Sequence, residues 1–136
     1  MKQKRAKLPE IEVLRPRCVL VIEIGDYRFY AHLEDNPAAE QFVKSLHSEP
    51  LTVRLSDDRS ARKSGTLPFD LPSCDAQISV KPGDLLLDGA NRIAICNAEG
   101  AGNLTRLARV GSRTEELFAA LGDNPTEVRF YLEWSE

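Results

Sequence analysis

The sequence predicts a mainly β domain, a closed barrel of about eight strands with two short α-helices capping it. Three observations carry that expectation. Most apolar residues fall in short runs, some continuous and some of period two, that read as about eight strands. Helical spacing occurs in two segments, and both are short. There is no repeating strand–helix–strand pattern, which argues against a doubly wound parallel sheet.

Taken in order, residues 1–16 read as a basic, partly flexible arm, and residues 17–136 as the barrel domain. Within the arm, residues 11–14 are apolar and are followed by Pro16, which suits an edge strand or a docking segment. Residues 18–24 are rich in β-branched side chains and stop at Gly25-Asp26. Tyr27, Phe29, Ala31 and Leu33 then alternate with Arg28, Tyr30 and His32, so the two runs form a β-hairpin. His32 falls on the polar face and is expected at the surface. Asn36 can cap a helix that has Pro37 at its first position, where the missing N–H costs nothing. Ala39, Phe42, Val43 and Leu46 make the apolar face of that helix.

Residues 51–55 return to strand character, and the polar stretch 56–65 reads as an exposed loop. Pro68, Pro72 and Pro82 make residues 66–83 extended and turning, without regular structure. Residues 85–87 and 93–96 flank the turn Asp88-Gly89-Ala90-Asn91 as a second hairpin. Gly100 and Gly102 open a loop ahead of a strand at 104–110. Ser112 and Glu115 have the spacing of a capping box for a second helix, with Leu117, Phe118 and Leu121 inward and Gly122 at its end. The last strand alternates Thr126, Val128, Phe130, Leu132 and Trp134 with charged or polar residues, which places Trp134 in the core.

A chain of 136 residues, 42% apolar and 29% charged, can bury one core without covalent help. No apolar run approaches the roughly 20 residues that span a bilayer, and no apolar segment follows the N-terminal basic residues as a signal-peptide core. A cytoplasmic location and no membrane partner are expected. Cys18, Cys74 and Cys96 are far apart and read as three reduced thiols. With His32 and His47 they form no metal-ligand spacing, so neither metal nor cofactor is expected. Gly100-Ala101-Gly102 lacks the third glycine of a dinucleotide loop, and Asp57 and Asp58 are neighbours whose side chains point apart. No residue stands out as catalytic.

The net charge of −3 is unevenly spread. Residues 1–17 hold six basic and two acidic side chains, which leaves twelve basic and nineteen acidic in the rest. An acidic body repels a phosphate backbone, so a nucleic-acid partner is not expected. The arm suits either a solvated terminus or a segment that docks on another protein or on a second copy, which leaves a homo-oligomer open.

Four segments carry a resemblance: residues 33–39 around Asn36-Pro37, residues 51–57, Gly83-Asp84-Leu85-Leu86-Leu87, and residues 105–111. Together they resemble the cyclophilin-like domain proteins, small prokaryotic barrels related in fold to the cyclophilin peptidyl-prolyl isomerases, over about residues 18–134. Those isomerases hold an X–Pro bond, whose rotation barrier is about 18–20 kcal/mol, in an apolar pocket beside a strand arginine. Arg54 aligns with that arginine. Beyond it the chain runs Ser56-Asp57-Asp58-Arg59, where the isomerases have a phenylalanine, a glutamine and paired glycines. Ala94 stands in the place of a pocket aromatic, and no tryptophan or histidine follows between Cys96 and Leu104. The resemblance therefore implies a groove lined by Arg54, Phe69, Ala94, Ile95 and Asn97 that holds a peptide or small molecule without turning it over. Two alternatives stand beside it: an isomerase with a degenerate site, and an assembly domain acting through the N-terminal arm.

Overall fold

The computed structural model describes residues 17–58 and 62–135; the arm, with the apolar stretch 11–14, lies outside them. The elements run β1 (Arg17–Ile24), β2 (Tyr27–Leu33), α1 (Pro37–Ser48), β3 (Leu51–Asp57), β4 (Arg62–Thr66) and β5 (Ala76–Val80). They continue with β6 (Asp84–Asp88), β7 (Arg92–Cys96), β8 (Gly100–Val110), α2 (Thr114–Leu121) and β9 (Thr126–Ser135). Neighbouring strands follow the order β2, β1, β9, β3, β4, β7, β6, β8, and a pairing of β2 with β8 closes the ring. Eight strands thus form a closed antiparallel barrel, and β5 lies off the ring, paired with β8.

The first hairpin shows why the local reading succeeds. Ile24 faces Tyr27 across Gly25-Asp26, and Gly25 has φ +58°, the left-handed conformation that this tight turn requires. Alternation then sends Leu20, Ile22 and Ile24 from β1, Phe29 and Ala31 from β2, and Val128 and Phe130 from β9 into one core. Tyr27, at the tip of the hairpin, escapes the core and is exposed. His32 lies at the surface, as its polar face predicts.

The two helices close opposite ends of the barrel, because α1 joins the end of β2 to the start of β3 and α2 joins the end of β8 to the start of β9. In α1 the Ala39 N–H donates to Asn36 Oδ1 at 2.8 Å, and Asn36 Nδ2 donates to the Arg106 carbonyl at 2.9 Å. One side chain therefore caps the helix and ties it to β8. Ala38, Ala39, Phe42 and Leu46 are buried, and Phe42 meets Phe130 edge-on at 6.0 Å between ring centres.

Five expectations are corrected. The capping box is not formed: the N-cap of α2 is Arg113, at φ +59°, with no side-chain cap. Its guanidinium instead donates to both oxygens of Glu116 and to the Arg28 carbonyl, and lies 4.9 Å from the Phe29 ring centre. Those contacts hold Arg113 at the N-cap position in place of a side-chain cap. The stretch read as a loop contains β4, paired with β7 along its whole length. Residues 76–80 form a regular strand, and β8 begins at Gly100. Trp134 is 52% exposed, edge-on to His47 at 5.3 Å, because β9 outruns the core. Among the described residues no helix is long and apolar enough to cross a membrane.

Candidate functional site

Strands β6 and β7 are apolar at consecutive positions, not alternate ones. Leu85, Leu87, Ile93 and Ile95 point into the barrel, which leaves Leu86, Ala94 and Cys96 on its outer face. Those three are nevertheless buried. The cover over part of this face is a ribbon made of β5 and the first half of β8, in register from Ala76 opposite Leu104 to Val80 opposite Gly100. Its Ile78, Val80 and Leu104 close on Leu86 and Cys96 as a second, smaller apolar cluster.

A fully buried carboxylate anchors the ribbon. Asp84 accepts two bonds from Arg109, from Nε at 2.6 Å and Nη2 at 3.0 Å. It also accepts from the Lys81 N–H at 2.9 Å and from Arg106 Nη1 at 3.4 Å, while that same Nη1 donates to the Ser79 carbonyl at 3.1 Å. Asp84 thereby joins β5, β6 and β8, and the bidentate pairing lifts the Arg109 guanidinium above its ordinary pKa.

Between the ribbon and the barrel wall lies a cleft of about 190 Å³. Val80, Leu86, Cys96 and Leu104 form its apolar part, and Arg62 and Glu99 are its charged residues. Arg62 enters β4 opposite Cys96, so both sit on the outer face. Its Nη1 is buried and has no hydrogen-bond partner among the described residues. Asp88 Oδ2, at 3.8 Å, attracts the charge without forming a hydrogen bond. Beside it Arg92 Nη2 donates to Ser64 Oγ at 2.6 Å.

The thiol in the cleft is not a nucleophile at neutral pH. Burial pushes the Cys96 thiol up to about 11, the nearby negative charges of Asp84 and Asp58 push the same way, and Arg62 opposes them. It stays protonated and serves as apolar wall. All three cysteines are free thiols, with Cys18 and Cys74 half-buried.

The five residues implied by the resemblance do not share one surface. Arg54 is exposed on the outer face of β3, and its side chain makes no hydrogen bond or ion pair among the described residues. Its backbone is held close to β4, because the site a Cβ on Gly65 would occupy is taken by the Arg54 carbonyl oxygen. Ala94 shares the outer face but is covered, and Ile95 points into the core. Phe69 packs on the core in the segment whose Leu67 and Leu71 donate to the Asn91 and Ala90 carbonyls, at the start of β7. Asn97 follows the other end of β7. There it borders, with Ile95, a separate cleft of about 200 Å³ beside α2. The cation of that cleft, Lys63, is committed within the fold: its Nζ donates to the Asn124 carbonyl at 2.8 Å and pairs with Asp57 at 3.5 Å.

Arg62, Val80, Leu86 and Leu104 were not among the residues that sequence reasoning selects. One signal for them does exist. The uninterrupted runs Leu85-Leu86-Leu87 and Ile93-Ala94-Ile95-Cys96 are the pattern of strands buried on both faces, so something must cover the outside. Nothing local says what covers it.

Compared with known proteins, a family model described as cyclophilin-like matches residues 22–133. No curated protein and no solved structure matches the chain.

Proposed function

The chain belongs to the cyclophilin-like family, and from that premise we propose that it is a non-catalytic binding module. Its ligand, a small molecule or short peptide segment, lies on the outer face of the barrel between β4, β7 and the ribbon. One observation carries this reading: a cleft with an apolar floor has Arg62 and Glu99 as the charged residues of its wall. Ligand sites combine apolar lining with a few polar groups that fix orientation, and this cleft sets an apolar floor beside one guanidinium and one carboxylate. The three free thiols suit a reducing compartment, so we place the protein in the cytoplasm.

Thermal shift against a fragment library tests the reading, since a ligand for the folded state raises the melting temperature by mass action. Stabilising fragments should lose their effect in Ala98→Trp, which fills the cleft from an exposed position in its wall. No stabilising fragment, or stabilisation that Ala98→Trp leaves intact, would remove the cleft as the site.

A second reading, proline isomerisation at Arg54, is favoured by the exposed and unpaired guanidinium there. An exposed hydrogen bond contributes only about 0.5–3 kcal/mol net, small against an amide barrier of about 18–20 kcal/mol. A protease-coupled assay on a proline tetrapeptide should show little acceleration. Strong acceleration lost in Arg54→Ala would establish the isomerase reading instead.

A further inference from the structure

We infer that the N-terminal arm docks on its own barrel, with residues 11–14 lying along a groove of α1 that ends at Trp134. The arm is outside the described residues, but its point of attachment is fixed. β1 begins at the end of the barrel where β2 finishes, and α1 follows β2, so the arm enters at the end that α1 closes. On that rim Cys18 pairs with Trp134, whose ring stands edge-on to His47 in the last turn of α1.

The groove has room and an apolar strip. It encloses about 320 Å³ and is bordered by Glu34, Ala39, Glu40, Val43, Lys44 and His47. Val43 is only half-buried and Trp134 is 52% exposed, so both gain when hydrocarbon covers them. Ala39, Val43 and His47 recur every four residues, which makes the strip about 12 Å long at 1.5 Å per residue. Residues 11–14 span about 10 Å when extended, and the three steps from Arg17 back to Leu14 reach about 10 Å more. Leu14 is thereby set beside Trp134, and Ile11 toward Ala39. Charge agrees with that direction. Arg5 and Lys7 come before the apolar segment and so run toward the first turn of α1, where Glu34 and Glu40 border the groove. The two-residue link Arg15-Pro16 keeps the segment at high effective concentration over its own groove, which favours it against the arm of a second copy.

Trp134 is the only tryptophan of the chain, so its fluorescence reports the cover directly. Acrylamide should quench the full-length protein about twofold less than the double variant Val13→Ser with Leu14→Ser, because the indole ring loses its apolar cover in the variant. On the groove side Val43→Asn should raise quenching as well. Gln41→Asn, exposed on α1 and outside the groove, should not. Circular dichroism checks that each variant is folded, and the arm variant leaves the barrel sequence untouched. Equal quenching of wild type and arm variant overturns the docking. A loss of protection in the arm variant that Val43→Asn does not reproduce overturns the groove as its place. Protection that fades on dilution, or a sedimentation mass of two chains that the arm variant halves, assigns the groove to the arm of a second copy and overturns docking within one chain.

Discussion

Cys96 illustrates how one side chain records its surroundings. It is 3% exposed, packed with Val80 and Leu86, and its thiol titrates at about 11 where an unperturbed one has 9.0. The folded state therefore holds the thiol proton more tightly than the unfolded chain does. The stability linked to this group is full below pH 9.0 and is lost as the pH rises through about 11. Cys18 and Tyr131 are shifted upward by burial as well, so they contribute to the same alkaline loss. Urea midpoints measured from pH 8 to pH 11 should fall less steeply for Cys96→Ala than for the wild type. Parallel curves would mean that Cys96 is not the group responsible. Arg113 makes a related point. It holds a left-handed backbone that favours glycine, and its Glu116, Arg28 and Phe29 contacts explain why an arginine stands there.

Strands β3 and β4 meet in an unusual way. Their pairing extends over Ser56 with Ser64 and Asp57 with Lys63, after which β4 leans against β3 at Gly65. A Cβ there would fall on the Arg54 carbonyl oxygen and crowd the Val53 and Leu55 side chains. Gly65→Ala should therefore cost about 1–3 kcal/mol, the usual range for overpacking. Gly100→Ala is the control, since its Cβ would meet Val80 Cγ2 at an ordinary 3.6 Å. That change should stay within about 0.5 kcal/mol. Equal losses in urea unfolding would show that the β3–β4 contact has room to relax.

The ribbon and the barrel are joined through Asp84. Its carboxylate is fully buried, and its partners come from the β5–β6 connection and from β8. Asp84→Asn keeps the shape and removes the charge, leaving Arg106 and Arg109 facing a neutral amide. Breaking a buried pair from one side costs about 3–5 kcal/mol, and the low end applies because Arg109 is 35% exposed. A lowered urea midpoint should come with faster hydrogen exchange in β5 than in β1, because the ribbon loses its anchor first. Destabilisation spread evenly over both strands would show that Asp84 supports the barrel without holding the ribbon.

The first hairpin, α1 and the alternating first half of β9 were legible in the sequence. Their signals are local: a turn glycine between two β-branched or alternating runs, an asparagine before a proline, a period of two. The closed barrel was expected from the number of short strands and the two short helices, and the β2–β8 pairing bears it out, as the match over residues 22–133 bears out the family resemblance. The ribbon was not read from the sequence: β5 alternates Ala76, Ile78 and Val80 with Gln77 and Ser79 but is short and flanked by Pro72 and Pro82, and the glycines that open β8 imitate a loop. β4 was hidden for a related reason. It is polar on both faces, and its inward Lys63 becomes tolerable through Asn124 and Asp57, which other elements supply. The cleft belongs wholly to the tertiary structure. Arg62, Val80, Cys96 and Leu104 come from four strands, and no periodicity along one segment can report how separate strands lie against each other. Local backbone preferences thus determined the first hairpin, α1 and the last strand, while long-range packing of β5 and β8 over β6 and β7 decided where the cleft lies.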